Sequence, residues 1–318
     1  MRVIVTGADG FVGPYVLSAL TQRFGDAMEL VPTSRVSMPD LGGQSVVALD
    51  ITDAHAVHAL ISEVAPTHVV HLAGIAAPTE AARNPDAAWD VNLHGTLTIA
   101  RALMTLAPEA SLIFAGSGLA YGLSGKSGEP LDETAILAPG DEYGATKAAA
   151  DIALGAFATR GLKVIRCRPF NHAGPGQSES FVIPGFAIQI ARIEAGRSAP
   201  VIRVGNLDAE RDFLDVRDVA RAYASAVDHA AAIAPGTILN IASGEPRRIG
   251  DILDALLALS QKQITVEQDP NRLRPSDVSR ITGNAASARA LLSWTPEVPF
   301  DVTLADVLDD CRARVSGS

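Results

Sequence analysis

The stretch Val-Thr-Gly-Ala-Asp-Gly-Phe-Val-Gly at residues 5–13 decides which fold this chain predicts. Its glycines recur at every third position, Gly7, Gly10 and Gly13, between an apolar strand pattern and a helical pattern. A glycine-rich turn of this kind is typical of the first βα unit in a dinucleotide-binding sheet. There, Gly7 would allow a tight turn, Gly10 would let the backbone approach a pyrophosphate, and Gly13 would permit close packing of helix on strand.

Phe11 and Val12 complete the same turn, and we expect them to contact the cofactor as well. Free N–H groups and the helix dipole would face its phosphates at this point. The spacing is G-x-x-G-x-x-G rather than the commoner G-x-G-x-x-G, so a turn that only packs tightly is the alternative interpretation. Its position in the first βα unit favours the cofactor.

Short apolar runs alternate with longer helical patterns through the first half of the chain. The predicted strands are Arg2–Thr6, Glu29–Thr33, Val46–Leu49, His68–Leu72, Ser111–Ala115 and Lys163–Cys167. The predicted helices are Phe11–Arg23, Ala54–Val64, Pro85–Leu106 and Glu142–Arg160. Because such alternation builds parallel βαβ units, we expect an α/β fold with a doubly wound parallel sheet, a Rossmann fold.

After Cys167 the rhythm changes, and a loop rich in proline and glycine begins at Arg168. We expect a smaller, mixed α/β C-terminal substrate subdomain, interleaved with the first domain. Residues 1–167 with about 212–243 would form the dinucleotide-binding domain, and about 168–211 with 244–318 the subdomain. The tail Ser316–Ser318 is predicted to be disordered. Further predicted elements are the helices Phe181–Ala195 and Asp215–Asp228, the strand Thr237–Ile241, and the C-terminal segments Asp251–Ser260, Ala285–Leu292 and Val302–Arg312.

The bulk composition limits the class of protein. The chain has 318 residues, 47% of them hydrophobic, and a formal net charge of −10. Without clustered basic residues, that charge argues against a general binder of nucleic acid or of anionic membranes. Two cysteines far apart in sequence form no disulfide framework, which indicates a reducing cytoplasm.

The end of the second predicted strand bears on the choice of nicotinamide cofactor. An acidic residue there would accept hydrogen bonds from the ribose 2′-OH, whereas an arginine accommodates a 2′-phosphate. Here Ser34 and Arg35 follow the strand without a carboxylate, which favours NADP(H) and leaves NAD(H) possible. The alternative is that Arg35 is a solvated loop charge. Asp50 and Ile51, after the third strand, are predicted to lie near the adenine.

Tyr143 and Lys147 form a Tyr-x-x-x-Lys pair that predicts the chemistry. Residues four apart share one face of a helix, where an ammonium can stabilise a phenolate. Ser117 ends the fifth predicted strand, and its hydroxyl could hold a substrate oxygen. We assign these three residues as catalytic, because a chance pair on a helix surface would not be accompanied by this serine and the glycine turn. His55 and His58 share a helical face but lack the companions of a metal site, so no metal is expected.

These motifs resemble those of the extended short-chain dehydrogenase/reductase family, nearly from end to end. The matching stretches are VTGADGFVG, DITD (50–53), HLAG (71–74), VNLHGT (91–96), Ser117 with Tyr121-Gly122, YGATK (143–147), RPFNHAGPGQ (168–177), ERDFLDVRDVARAY (210–223) and RPSDV (274–278). The resemblance implies a nucleotide-sugar substrate. It also places Leu72, Ala73, Gly74 and Asn92 against the cofactor, beside Tyr143 and Lys147.

The resemblance further implies how the substrate would be held. It assigns substrate contacts to Ser117, Gly118, Asn171, Val182, Arg211 and Arg274. The two arginines would pair with the pyrophosphate, whose oxygens match the guanidinium fork. As alternatives, Arg274 would be solvated and Arg211 would pair with Asp212 or Asp215.

Residues 168–194 are most similar to the branch of the family that acts on GDP-mannose derivatives. Its dehydratases carry a Glu two residues beyond the catalytic hydroxyl, which removes the proton from carbon 5, and a related epimerase–reductase has a Cys there. This chain has Leu119, which transfers no proton. The resemblance therefore implies NAD(P)H-dependent reduction of GDP-4-keto-6-deoxy-D-mannose to GDP-D-rhamnose. The reductases of this branch often carry acidic residues at Leu119-Ala120, so the exact sugar stays open.

Three alternative functions stay open at this point. The first is a nucleotide-sugar 4-epimerase that keeps its NAD tightly bound, the second is a GDP-mannose 4,6-dehydratase, and the third is a non-catalytic, cofactor-binding scaffold. The family uses helices equivalent to Pro85–Leu106 and Glu142–Arg160 as a dimer interface, so a homodimer is expected. Burial of those helix faces in the core is the other interpretation.

Overall fold

The structure of the chain, a computed structural model, describes residues 1–41, 43–272 and 278–317. The strands in this part of the chain are β1 (Arg2–Thr6), β2 (Glu29–Ser34), β3 (Met38–Leu41), β4 (Gln44–Ala48), β5 (His68–His71), β6 (Ser111–Ala115), β7 (Lys163–Pro169), β8 (Asn171–Ala173), β9 (Val201–Val204), β10 (Glu210–Asp215), β11 (Ile238–Ile241), β12 (Pro246–Arg248), β13 (Thr265–Gln268) and β14 (Arg280–Ile281). The α-helices are α1 (Gly13–Phe24), α2 (Ala54–Val64), α3 (Pro78–Arg83), α4 (Pro85–Trp89), α5 (Thr96–Leu106), α6 (Glu142–Ala158), α7 (Val182–Glu194), α8 (Val216–His229), α9 (Ile249–Ala258), α10 (Ala286–Leu292) and α11 (Phe300–Gly317).

Eight of the described strands form one sheet, in the order β11-β7-β6-β5-β1-β2-β4-β3. Neighbouring strands are parallel except at one edge, where β3 runs antiparallel to β4. The strand order reverses direction between β1 and β5. In sheets of this type a ligand crevice opens at the carboxyl ends of the strands on either side of that reversal. The predicted doubly wound parallel sheet is confirmed.

Strand β1 shows why helices cover both faces of this sheet. Val3 and Val5 belong to a core shared with α1 and α8, whereas Ile4 belongs to a core shared with α2 and α5. Successive side chains of a strand point to opposite faces, so a strand that is apolar throughout must be covered on both.

A smaller group of elements lies beyond β7. Strand β10 pairs in parallel with β8 and β14 and antiparallel with β12. Helices α7, α9 and α11 share one apolar core with it. The smaller mixed α/β part of the predicted fold is therefore confirmed, whereas the division into two domains at the stated residues stays a prediction. Ala288 and Leu292 of α10 lie in the core of the large sheet.

Several predicted helices have slightly different bounds in the structure, and two of these differences concern where a helix begins or breaks. Helix α1 begins at Gly13, two residues later than predicted, with a proline in its first turn; proline suits that position because the first N–H groups of a helix have no internal partner. The predicted helix Pro85–Leu106 is divided into α4 and α5 by a π-helical turn at Asp90–Gly95. Such turns are frequent at functional sites.

The C-terminal end also differs from the prediction. Helix α11 continues to Gly317, so the predicted disorder is wrong for Ser316 and Gly317, and Ser318 lies outside the described residues. Val315 explains the difference, because its side chain is buried in the core with α7 and α9 and extends the amphipathic pattern of the helix.

Candidate active site

The glycine-rich turn lies between β1 and α1, at the reversal of strand order. Gly7 has φ +68°, and a Cβ there would lie 2.7 Å from the Cα of Ala73 in the loop after β5. A Cβ on Gly13 would lie 2.1 Å from the carbonyl oxygen of Ala8. At Gly10, by contrast, the Cβ would meet only the Gly7 carbonyl oxygen among the described residues, at 3.2 Å. Packing therefore requires two of these glycines, while Gly10 leaves room for a ligand.

The backbone of this turn offers hydrogen-bond donors. Among the described residues, no hydrogen bond engages the N–H groups of Phe11 or Val12, and no side chain caps α1. Donors of this kind at a helix N-terminus fit a phosphate, so the turn fits the pyrophosphate of a dinucleotide. The Phe11 ring stacks on His172, with centroids 6.0 Å apart and planes 4° from parallel. The turn therefore contacts the strand β8 on which Asn171 lies.

The carboxyl end of β2 carries the charge that bears on cofactor choice. Arg35 is exposed there. Hydrogen bonds from Thr52 lower the pKa of Asp50, and the Arg35 charge lowers it further. The hydroxyl of Ser34 donates to the Val36 carbonyl, so it is already engaged within its own turn. Arg35 is thus a cation available to a ligand at the end of β2. The Asp50 carboxylate lies near enough to be affected by its charge.

Ile51, the other residue predicted at the adenine end, is buried. A Cβ on Gly95 would lie 2.6 Å from the Ile51 side chain, so this side chain packs against the π-helical turn. Its predicted contact with a cofactor stays a prediction.

Tyr143 lies in the first turn of α6. The N-cap residue Asp141 accepts a hydrogen bond from the Gly144 N–H at 2.7 Å and sets where the helix begins. The Tyr143 side chain is only 8% exposed. Burial raises its pKa to about 12, against the opposing effect of a hydrogen bond with Ser117. The phenol is therefore held in its protonated form.

An apolar wall causes this burial. Ala81, Ala88, Ile75 and Leu119 pack around Tyr143. Leu119 thus lies beside the phenol, and its side chain can transfer no proton. An apolar neighbour disfavours the phenolate, because desolvation penalises the charged form.

Lys147 follows Tyr143 by one helical turn but faces a different partner. Its Nζ donates to the Ala115 carbonyl oxygen at 2.9 Å. Burial lowers its pKa to about 8. The Ser117 hydrogen bond lowers the pKa of the phenol against the effect of burial, and the expected effect of Lys147 on the phenol stays a prediction. A Cβ on Gly74 would lie 3.3 Å from Nζ and 2.8 Å from Asn92 Oδ1, which places these predicted cofactor residues together.

Asn92 connects the loop after β5 to α6. Its Oδ1 accepts from the Ile75 N–H at 2.8 Å, and its Nδ2 donates to the Ile75 carbonyl at 3.1 Å and to Thr146 Oγ1 at 3.0 Å. The π-helical turn aims this buried amide into the site. Asn92 thereby sets the loop Leu72–Gly74 relative to Lys147.

His71, the last residue of β5, lies directly before the same loop and is held by two threonines. Its Nδ1 lies 2.7 Å from Thr6 Oγ1 and its Nε2 3.0 Å from Thr96 Oγ1. Thr96 donates its own proton to the Asn92 carbonyl, so it accepts from an Nε2–H of His71. Burial lowers the pKa of His71 to about 3, which keeps the ring neutral. Sequence reasoning missed both threonines; the available signal was that one ends a predicted strand and the other follows a glycine within a helical pattern.

The predicted substrate residues are distributed around this centre. Ser117 follows β6 and caps a short helical turn, accepting from the Leu119 N–H at 3.1 Å. A Cβ on Gly118 would lie 3.1 Å from the Phe170 ring, so packing already requires this glycine. Asn171 lies on β8 opposite Phe213 of β10. Val182 begins α7, and its side chain is exposed.

Arg211 lies on β10, and Arg274 falls outside the described residues. The Arg211 guanidinium donates to the backbone carbonyls of Glu210 at 2.7 Å and Val278 at 3.2 Å, and burial lowers its pKa. Asp212 accepts instead from Ser243, at 2.6 Å from its hydroxyl. Among the described residues, no group of three potential ligand side chains gathers as a metal site would require.

Comparison with known proteins gives a consistent picture. A model of the NAD-dependent epimerase/dehydratase family matches residues 3–242. The chain is 34% identical over 315 residues to the GDP-6-deoxy-D-mannose reductase of Pseudomonas aeruginosa, covering 99% of this chain and 98% of that protein. The structure of RMD from Pseudomonas aeruginosa complexed with NADPH has a TM-score of 0.85 at 32% identity, over 98% of this chain and 99% of that one. The UDP-glucose 4-epimerase of Thermus thermophilus, complexed with NAD, has a TM-score of 0.83 at 27% identity, over 98% and 99%.

Proposed function

Because the chain belongs to the NAD-dependent epimerase/dehydratase family, we propose that it reduces the 4-keto group of a nucleotide-linked 6-deoxy sugar. The substrate we favour is GDP-4-keto-6-deoxy-D-mannose, and the product is GDP-D-rhamnose. One observation carries this choice: the end-to-end similarity to a GDP-6-deoxy-D-mannose reductase, at 34% identity over 99% of the chain. The protein is thus an NAD(P)-dependent oxidoreductase.

The residues of the site support a reduction. When bound, a reduced nicotinamide supplies the hydride that carbon 4 accepts. Tyr143 gives its phenolic proton to the sugar oxygen as that oxygen becomes an alcohol, and Ser117 donates a hydrogen bond that orients it. The buried phenol, with its pKa raised to about 12, rests in the form that can donate. Lys147 contributes a positive charge next to Ala115 and Gly74.

The cofactor we favour is NADP(H), with NAD(H) as the alternative. Arg35 is exposed directly after β2, and residues 31–34 before it include no carboxylate. A guanidinium suits a 2′-phosphate because the charge-assisted hydrogen bonds are strong. The similar RMD structure contains NADPH, and the similar epimerase structure contains NAD, so the relatives support both cofactors.

A homodimer is also part of this proposal. On α6, Ile152 is 61% exposed, and Ala149 and Ala156 lie on the same side of the helix, where small residues allow another helix to approach. Sedimentation that gave only monomer at micromolar protein would contradict it.

None of the described helices has the length and apolarity to cross a membrane. We propose a cytoplasmic location, because the substrate and cofactor are intracellular metabolites.

A product assay tests the reaction. GDP-mannose is converted by a separate 4,6-dehydratase, this protein is added with NADPH that carries deuterium at its transferable position, and the product is examined by NMR. We expect deuterium on carbon 4 of a GDP-linked 6-deoxyhexose and one NADPH consumed per sugar. Interconversion of a nucleotide sugar without net reductant would instead identify a 4-epimerase. Loss of water from GDP-mannose in a reaction without the separate dehydratase would identify a dehydratase.

A further inference from the structure

Helix α6 carries a stripe of residues at four-residue spacing on the face that meets the sheet. Tyr143, Lys147 and Asp151 are all buried, and Gly155 follows them. A Cβ on Gly155 would lie 2.7 Å from the guanidinium of Arg166. The glycine therefore lets β7 approach the helix closely below the two proposed catalytic residues.

Asp151 ties this helix to β7. Its carboxylate accepts from Arg168 Nε at 2.9 Å and from Arg168 Nη2 at 2.8 Å, and from Arg166 Nη1 at 3.0 Å. The aspartate and Arg168 side chains are 2% and 4% exposed. Bidentate pairs of this kind fix both distance and angle. The ion pair therefore sets the position of α6 along the sheet, one turn beyond Lys147.

Arg168 also contacts the segment that carries Ser117. Its third nitrogen, Nη1, donates to the hydroxyl of Tyr121 at 2.9 Å. Tyr121 directly follows the helical turn that Ser117 caps, and its N–H donates to the Gly118 carbonyl at 3.1 Å. The same hydroxyl donates to Asn240 Oδ1 at 2.7 Å. Tyr121 is buried, so its hydroxyl accepts from one side and donates to the other, with both contacts made inside the protein.

Asn240 is anchored independently of the tyrosine. Its Nδ2 donates to the carbonyls of Leu131 at 3.0 Å and Asn284 at 3.2 Å. With the amide nitrogen so engaged, Oδ1 is the atom presented to Tyr121, and the phenol must donate to it. Each polar atom in this chain of contacts therefore has one role, which leaves the turn at Ser117 a single preferred position.

We propose that Tyr121 is a positioning residue that, with the Asp151–Arg168 ion pair, sets the spacing between the Ser117 hydroxyl and the Tyr143 phenol. The inference rests on the proposed function, because that spacing matters for a proton transfer to the sugar oxygen. Two elements carry the reacting groups, α6 and the turn after β6, and this buried network joins them. Misplacing such groups by a fraction of an ångström is enough to slow catalysis.

A double-mutant cycle tests it. Tyr121→Phe removes only the hydroxyl, and kcat for GDP-4-keto-6-deoxy-D-mannose is measured in the wild type and in the Ser117→Ala background, well below the unfolding temperature. We expect kcat to fall roughly tenfold in the wild type, with KM for NADPH unchanged, but less than about twofold when Ser117 is already absent. Ser111→Ala is the control, since Ser111 is also buried and begins β6, at the end of the strand away from Ser117, and it should leave kcat unchanged.

The outcomes separate the two proposals. If the wild type does not oxidise NADPH with this substrate, the proposed function fails and the inference fails with it. If the wild type is active but Tyr121→Phe has no effect, or lowers kcat by the same factor in both backgrounds, only the inference is overturned. Should Tyr121→Phe not fold, Asn240→Ser takes its place in the same cycle, because it removes the acceptor of the Tyr121 phenol; additive effects there would overturn the inference equally.

Discussion

The ammonium of Lys147 donates a hydrogen bond to the carbonyl oxygen of Ala115 at 2.9 Å, which joins helix α6 to the carboxyl end of β6. The lysine is thus held against the sheet, one helical turn along α6 from Tyr143. A buried ammonium whose partner is a neutral carbonyl is poorly compensated for lost hydration, and its pKa falls to about 8. The site therefore contains a cation that burial destabilises and that an anionic or polar ligand would stabilise.

The pH dependence of the free energy of unfolding should show the lowered pKa of Lys147. Its ordinary pKa is 10.5 and its folded pKa about 8, so between pH 8 and 10 the unfolded chain keeps a proton that the folded chain releases. The free energy of unfolding should then rise with pH through this window, by about 2 kcal/mol from Lys147 alone. Urea unfolding of the wild type and Lys147→Met at pH 8 and pH 10 measures it as a difference between the two proteins. If the free energies of unfolding of the two proteins changed equally between pH 8 and pH 10, the lowered pKa of Lys147 would be contradicted.

Two glycines of the turn should behave differently when changed to alanine. Gly10→Ala should fold, because its Cβ would meet only one oxygen at 3.2 Å among the described residues, but it should weaken NADPH binding by roughly tenfold or more, because the methyl would stand where a pyrophosphate approaches. Gly13→Ala should lose roughly 2 kcal/mol or more of stability, because its Cβ would lie 2.1 Å from the Ala8 carbonyl oxygen. Fluorescence titration with NADPH and urea unfolding give the two readouts. If the Gly10→Ala protein bound NADPH normally, the pyrophosphate could not bind at this turn as proposed.

Arg35 should decide between the two nicotinamide cofactors. Removing a guanidinium that pairs with a phosphate costs about 1.5–3 kcal/mol, so Arg35→Ala should raise KM for NADPH roughly 10- to 100-fold. KM for NADH should change less than about twofold, because NADH lacks the 2′-phosphate. Arg160→Ala, at another exposed arginine, is the control and should alter neither value. Equal changes for both cofactors would show that Arg35 does not read the phosphate.

The sheet was predictable from the sequence because its strands are short, apolar and separated by helical patterns. Each of the six strands predicted up to Cys167 is present in the large sheet, with ends shifted by a few residues. The edge strand β3 was missed, since Met38–Leu41 contains a proline and no β-branched residue and is held by pairing with β4. The break at Asp90–Gly95 was missed for a related reason: a π-helical turn leaves the apolar periodicity of its helix almost unchanged.

The candidate site was predictable only where residues adjoin in sequence. Tyr143 and Lys147 are four apart, and that spacing predicted a shared face correctly. Which partner each side chain meets could not be read in this way. The contact of Lys147 with Ala115 spans 32 positions and that of Tyr121 with Asn240 spans 119, so both depend on how strands are ordered in the sheet.

The turnover of Tyr143→Phe with GDP-4-keto-6-deoxy-D-mannose and NADPH tests the central claim most directly. The change removes the proton donor and leaves the ring that packs against Leu119 and Ala88. We expect kcat to fall by ~10²–10⁴-fold, the usual contribution of a general acid, while the Kd for NADPH stays within about threefold of the wild type. A variant that reduced the sugar at the wild-type rate would show that Tyr143 donates no proton.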